Sequence, residues 1–169
     1  MVPTQTNSDD IVARLHDNFF ADARDRLETV DGLLDALRGS PGEEDESALD
    51  IRREVHNLKG MGLAFGFLSI SLISNLLEDY MASVDPPLAR HVAQTRVFHD
   101  TLADIVDQGT DPGDTANADI IRRMPVHSSP DAKPKAPVDI NVLLVIPSRS
   151  ISQFISRSLA ARGFRSSAV

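Results

Sequence analysis

The chain has 169 residues with a formal net charge of −8, and it contains neither cysteine nor tryptophan. The lack of cysteine excludes a disulfide framework and a cysteine-ligated metal site. No apolar run is long enough to span a bilayer, and the first residues lack the charged and apolar regions of a signal peptide, so we expect a cytoplasmic protein without membrane contact.

The charge is distributed unevenly along the chain. Residues 1–110 carry 20 acidic side chains against 9 basic ones, whereas residues 111–169 carry 5 against 8. Nucleic-acid binding needs a basic footprint to meet the phosphate backbone. The acidic first part therefore argues against nucleic acid as a partner.

The first predicted helix runs from Ser8 to about Leu37. Apolar residues recur there at the three- and four-residue spacing of one helix face. Gly39 and Pro41 then interrupt the pattern, as expected of a turn. The inner stripe of this helix is predicted to contain Ile11, Val12, Leu15, Phe19, Ala23, Leu27, Val30, Leu34 and Leu37.

The second predicted helix is amphipathic, and a histidine lies on its polar face. At about 100° per residue, Gly60 and Leu63 share a narrow stripe with His56. The apolar residues fall on the opposite side of the helix. Lys59, Arg52 and Arg53 flank the stripe, and the opposite side holds Ile51, Val55, Leu58, Gly62 and Phe65.

Two neighbours of His56 favour a chemical role for this histidine over that of an ordinary surface residue. A mid-helix glycine costs about 1 kcal/mol relative to alanine. A glycine at position 60 therefore suggests a functional reason for its presence. Without a side chain there, a partner's backbone has room to approach the imidazole. Lys59 offers an ammonium group that could neutralise phosphoryl oxygens. This combination predicts a histidine that carries a phosphoryl group.

A turn and a third helix follow. Phe65-Gly66-Phe67 predicts a helix end with glycine in the left-handed conformation. Apolar residues recur again at helical spacing from Ser69 to Met81. Two antiparallel helices joined by a short turn bring Glu78 to the level of His56, or within a turn of it. A carboxylate bonded to one ring N–H would fix the tautomer and leave the other nitrogen as a nucleophile.

A fourth helix completes a bundle that we assign to residues 1–110. It begins after Asp85-Pro86-Pro87, and its inner stripe is complete by Val106. Four helices with short links predict an all-α fold, an antiparallel up-down-up-down four-helix bundle. A core of this size is enough for independent stability, so a chain ending near Gly113 is expected to remain stable.

The remainder is predicted to form a linker and a short β-α(-β) tail. Residues 111–139 are rich in Pro, Ser, Asp, Ala and Lys and indicate a flexible linker, with a short helical turn near 119–124. Residues 140–169 combine a β-branched run, an amphipathic helix and the start of a second strand. This β-α-β order resembles the start of a receiver domain. Residues 146–148 lack the acids with which receivers hold Mg²⁺, so we expect an incomplete or degenerate receiver-like segment. We expect it to be loosely held or packed on another part of the molecule.

The segment from His56 to Glu78 resembles the histidine-phosphotransfer (HPt) domain family of two-component signalling, and within it the phosphotransfer domain of chemotaxis histidine kinases. The shared motif is His-x-x-Lys-Gly, then Phe-Gly-Phe, then a glutamate on the next helix. The resemblance implies that His56 is the phosphoacceptor and that Lys59 and Glu78 support it. Asn75 departs from the chemotaxis subgroup, which often has a polar aromatic residue there.

The resemblance also implies partners. A kinase catalytic domain or a phosphorylated receiver would donate to His56 Nε2, and a receiver aspartate would take the group. Mg²⁺ belongs to the receiver, and this chain is expected to bind no cofactor. Without a nucleotide-binding motif, autophosphorylation from ATP is not expected, so the chain is a phosphocarrier or the front of a longer kinase. Partner docking is predicted to involve Gly60, Arg52, Arg53, Leu63 and Asn75.

Two other functions remain open at this point. The bundle could dock a receiver without transferring phosphate, although the intact His56, Lys59 and Gly60 argue against that alternative. A metal-binding helical bundle is the second alternative, but the paired Glu-x-x-His motifs of di-metal bundles are absent. Its candidate ligands are His16, His56, His91 and His99 with nearby carboxylates.

Overall fold

The computed structural model describes residues 5–39, 44–84, 88–126 and 140–169. No helix in these ranges has both the length and the apolar character needed to cross a membrane. The described helices are α1 (Gln5–Gly39), α2 (Glu44–Ala64), α3 (Leu68–Ser83), a 3₁₀ helix (Leu88–His91), α4 (Val92–Gln108), α5 (Asp114–Arg123) and α6 (Arg149–Ala161). The strands are β1 (Asn141–Leu144) and β2 (Arg165–Ala168).

The predicted helical bundle followed by a short strand-containing tail is confirmed. In the bundle, α1 packs against α2 and α4, and α3 packs against the same two helices. The apolar stripes predicted for the four helices supply most of the shared core. Its fully buried large side chains include Phe19, Leu34, Ile51, Leu58, Ile70, Ile73, Leu77, Phe98, Leu102 and Ile105.

Ion pairs between α1 and α4 show how these two helices run. Arg24 Nε lies 3.3 Å from Asp107 Oδ1, and Arg96 Nη1 donates to Asp31 Oδ1 at 2.5 Å. As residue numbers rise along α1, the partner numbers fall along α4. This is the pairing expected of antiparallel neighbours joined by short connections.

The predicted inner stripe of α1 is buried only in part. Ile11, Val12 and Leu15, which the periodicity assigns to the core, are each about half exposed. The buried stripe begins at Phe19. The aromatic turn after α2 contacts α1 from His16 onward. Periodicity thus predicted which face of α1 is buried, but not at which residue the burial begins.

The linker predicted for residues 111–139 needs correction between residues 114 and 123. That segment forms helix α5, and Ile121 and Met124 join the core of the bundle. The inner stripes are therefore not complete by Val106. A Pro- and Asp-rich composition suggested a linker, but two apolar residues three positions apart are enough to dock a short helix on an existing core. The later part of the predicted linker, residues 127–139, lies outside the described residues.

Asp111 ties the segment after α4 to the start of α3. Its carboxylate accepts hydrogen bonds from the Ser69 N–H (2.9 Å) and hydroxyl (2.8 Å), from the Gly113 N–H (3.1 Å) and from Asn117 Nδ2 (2.7 Å). Burial by itself raises the pKa of Asp111, but these hydrogen bonds to the charged form outweigh it and lower the pKa. Asp111 thus caps the amino terminus of α3, because Phe67 at the N-cap position offers no side-chain acceptor.

Acid should weaken the fold through Asp111. A carboxylate with a depressed folded-state pKa stabilises the protein above the unfolded-state pKa and loses that contribution as the pH falls through the folded-state value. Asp111→Ala should cost about 1–2 kcal/mol of unfolding free energy at neutral pH. The cost should shrink progressively below about pH 4. Denaturant unfolding across this window measures the effect, with Asp104→Ala, an exposed carboxylate of α4, as control. A cost independent of pH would contradict the cap.

The tail is a β-α-β unit. β1 and β2 are parallel, with Asn141 opposite Arg165 and Leu144 opposite Ala168, and α6 connects them. Leu144 is buried whereas Leu143 is exposed, as alternate side chains of a strand face opposite sides of the sheet. The predicted strand-helix-strand order is thereby confirmed. The likeness to a degenerate receiver stays a prediction.

Two sets of hydrogen bonds fasten α6 to α5. At one end, the hydroxyls of Ser148 and Ser150 donate to Asp114 Oδ1, each at 2.6 Å, and these bonds lower the pKa of Asp114. At the other end, Arg157 Nη1 donates to the Ile121 carbonyl oxygen at 2.6 Å, and burial lowers the pKa of this arginine. The tail is thus packed on α5, which in turn packs on the bundle.

Candidate functional site

An aromatic cluster fixes the turn that returns α3 along α2. The rings of Phe67 and Phe65 stack on Phe19, with ring centres 4.8 and 5.0 Å away. Gly66 between them has φ +80°, the left-handed helix end that the sequence predicts. These contacts set where each turn of α3 lies beside α2.

The polar face of α2 presents His56 to solvent. The side chain of His56 is 70% exposed. Ile51, Val55 and Leu58 on the opposite face are fully buried, so the helix has its predicted orientation. An exposed imidazole on a well-packed helix can be approached by another protein without unfolding of the bundle.

The carboxylate of Glu78 holds one nitrogen of this imidazole. Glu78 Oε1 on α3 lies 2.9 Å from His56 Nδ1. An ionised carboxylate only accepts hydrogen bonds, so Nδ1 must carry the proton. In the neutral ring, Nε2 then keeps its lone pair. The arrangement leaves a nucleophilic nitrogen on an exposed ring.

Lys59 contacts the same carboxylate. Its Nζ pairs with Glu78 Oε2, and both side chains are about three-quarters buried. The sequence suggests that the Lys59 ammonium could neutralise phosphoryl oxygens, and in the structure this group is bound to Glu78. The two oxygens of one carboxylate thus hold His56 and Lys59, which lie three residues apart on one face of α2.

The predicted docking residues divide into two groups. Gly60 and Leu63 are exposed on the stripe of His56, and an added Cβ at Gly60 would meet no atom within 4 Å. Arg53 is also exposed and pairs with Asp50 at 2.6 Å. All three are on the exposed side of α2 that carries His56, and their docking role stays a prediction.

Arg52 and Asn75 each make a hydrogen bond to a residue of α3. Arg52 Nη2 donates to the Met81 carbonyl oxygen of α3 at 2.7 Å. Asn75 Nδ2 lies 3.5 Å from Asp79 Oδ2, one turn further along α3. Neither is bonded to His56 in the structure.

Leu49 was not predicted as a site residue. It is 60% exposed and precedes His56 by seven residues, so it lies on the same face two turns away. Leu63 follows His56 by seven residues and is 68% exposed. The seven-residue spacing of these leucines around the histidine is the signal that could have found it. A shallow depression beside the imidazole is lined by Leu49, Arg52, Arg53, His56, Glu78, Asp79 and Ala82.

Two glycines of α2, Gly60 and Gly62, should respond oppositely to substitution by alanine. Gly60→Ala should raise the unfolding free energy by up to about 1 kcal/mol, because the site is open and alanine favours the helix. At Gly62, a Cβ would lie 3.0 Å from the Ser71 backbone nitrogen and 3.1 Å from Ile70 Cβ. Gly62→Ala should therefore cost about 1–3 kcal/mol. Thermal melts of both variants test the packing of α2 on α3, and a shift of the same sign in both would contradict it.

A family model described as Hpt domain matches residues 14–108, more than half of the chain. The chain belongs to the Hpt domain family. The match covers most of α1 and all of α2, α3 and α4, so the family unit coincides with the four-helix bundle and excludes α5 and the tail. The resemblance read from the motif at His56 is thereby confirmed at the level of the Hpt family. No curated protein and no solved structure matches the chain.

The other three candidate metal ligands lie apart in this Hpt fold. His16 rests edge-on against Phe67, and His99 Nε2 donates to the Leu27 carbonyl oxygen at 3.1 Å. His91 lies beside Tyr80. Within the residues that the structure describes, no three His, Cys, Asp or Glu side chains are grouped so that they could hold a metal ion.

Proposed function

We propose that this chain is a phosphorelay carrier that accepts a phosphoryl group on His56 Nε2 and passes it to an aspartate of a receiver domain. Membership of the Hpt family supports histidine phosphotransfer in two-component signalling. The observation that carries the assignment to His56 is its hydrogen bond to Glu78, made by an exposed ring.

The proposed step is a displacement at phosphorus. The lone pair of Nε2 attacks the donor's phosphoryl group and an N–P bond forms. The P–O bond of the donor breaks, which releases the carboxylate of a receiver aspartate, or ADP where a kinase domain supplies ATP. The ring then carries a positive charge, with the proton still on Nδ1. Glu78, 2.9 Å away, stabilises that charge. Transfer to the acceptor aspartate is the same displacement in reverse.

The proposed partners are a receiver domain and the catalytic domain of a histidine kinase, in the cytoplasm of a bacterium. Leu49 and Leu63 give the surface around His56 an apolar component at both ends. Gly60 leaves room next to the imidazole. Mg²⁺ would be held by the receiver, and the family resemblance of the motif favours a chemotaxis-type kinase as the donor.

A label-and-chase experiment tests the proposal. Receiver domains charged with acetyl phosphate and Mg²⁺, or a kinase domain with ATP, are incubated with the chain, and acid-labile, base-stable phosphate is quantified. Addition of an uncharged receiver should then remove the label from the chain. A chain that binds receivers but takes no label from any donor would support the docking-module alternative instead.

A further inference from the structure

Arg52 bridges α2 and α3 one turn before His56. Its Nη2 donates to the Met81 carbonyl oxygen, in the last turn of α3, at 2.7 Å. The last four carbonyls of a helix have no partner within the helix and form the negative end of its dipole. α3 has no basic residue in its own last turn. Arg52 therefore supplies, from the neighbouring helix, the cation that this helix end lacks.

This bridge is the first of a series that joins the two helices. Arg52 and His56 are four residues apart on α2, and Glu78 and Met81 are three residues apart on α3. Both pairs lie on one helix face, so the Arg52–Met81 bond is adjacent to the His56–Glu78 bond. Fixing the Met81 carbonyl restrains the last turn of α3 and, with it, the backbone that carries Glu78.

We infer that Arg52 is a positioning residue, which keeps Glu78 within hydrogen-bond reach of His56 Nδ1 and so maintains the tautomer with a free Nε2. The inference deepens the proposed function and rests on it. Asn75, which the motif places one turn before Glu78, points to Asp79 instead. Arg52 acts through α3 and Glu78, without a bond to the imidazole, and this differs from the docking role that the sequence suggests.

The ¹⁵N chemical shifts of the His56 ring in the unphosphorylated protein test this inference. They are recorded at a pH at which the imidazole is neutral, and they report which nitrogen carries the proton. The parent should show the proton on Nδ1. Arg53→Ala, at the adjacent exposed arginine, should show the same and is a control for the tautomer alone, since Arg53 is a predicted docking residue. Arg52→Ala should move toward the mixed tautomers of Glu78→Gln, and its phosphorylation rate should fall about tenfold. Arg52→Lys keeps a donor for the Met81 carbonyl and should recover most of both properties.

Three outcomes would overturn the inference. If Arg52→Ala keeps the parent's tautomer while transfer slows, Arg52 acts at the partner interface. If Arg53→Ala shifts the tautomer equally, the effect is one of local charge. If Arg52→Lys stays as impaired as Arg52→Ala while remaining folded, the bond to Met81 is not the cause. The chemical shifts are measured without a phosphodonor, so they test the positioning role independently of the proposed function. If Arg52→Ala changes the tautomer but His56 never accepts phosphate, the proposed function is refuted and the positioning role stands.

Discussion

His56→Gln should accept no acid-labile phosphate from any donor that labels the parent chain. Glutamine has no ring nitrogen that can attack phosphorus. His99 also has Nδ1 3.0 Å from a carboxylate oxygen, that of Asp100, but its ring is buried and its Nε2 bonds the Leu27 carbonyl oxygen. We expect no detectable labelling of this variant. The variant should remain folded, because the side chain is 70% exposed, and surface substitutions typically change stability by less than about 0.5 kcal/mol.

His16→Gln is the matched control for this substitution. His16 also lies on the surface of the bundle, but its ring packs against Phe67 rather than against a carboxylate. It should be labelled like the parent. Labelling of His56→Gln at the parent's rate, or loss of labelling in His16→Gln with the fold intact, would show that the phosphoacceptor has been misassigned.

A chain ending at Gly113 should be clearly less stable than the full chain. It lacks α5, whose Ile121 is 1% exposed and whose flanking Met124 is 6% exposed in the core. Burying an apolar side chain of this size contributes about 1.5–3 kcal/mol, part of which is offset by the entropy cost of ordering the helix. The expected net loss is about 2–4 kcal/mol, or a fall in melting temperature of roughly 10 °C.

A chain ending at Val126 separates the contribution of α5 from that of the tail. It keeps Ile121 and Met124 but loses the bonds that Arg157 and Ser148 make to α5. Its melting temperature should lie between those of the other two chains. If the chain ending at Gly113 has the same melting temperature as the full chain, the bundle is stable by itself, as the sequence analysis expects. The packing of α5 would then contribute little to stability.

The parts of the fold that follow from local patterning could be predicted from the sequence. Helix α2 has a polar stripe and an apolar stripe, so the exposure of His56 and the burial of Val55 follow from the helical period. The Phe65-Gly66-Phe67 turn places Glu78 near His56, since an antiparallel return leaves little freedom. The hydrogen bond between Glu78 and His56 Nδ1 could therefore be predicted from the motif.

The remaining features depend on where elements end and on partners distant in sequence. Periodicity assigned Ile11 to the core, but it cannot show that the neighbouring helices cover α1 only from His16 onward. Arg52 lies on the polar face of α2, where a docking residue is also expected. Its bond to Met81 depends on the position of the last turn of α3, which the helical period of α2 does not give. Asp111 looked like part of a linker, because its role as a cap depends on Ser69, 42 residues earlier.

The most direct measurement is the identity of the atom that carries the phosphoryl group. The chain, labelled with ¹⁵N, is phosphorylated by a charged receiver or a kinase domain, and ³¹P and ¹⁵N spectra assign the N–P bond. The hydrogen bond between His56 Nδ1 and Glu78 predicts a single phosphorylated site, at Nε2 of His56. Phosphate on Nδ1, on another histidine, or on a carboxylate would contradict the account.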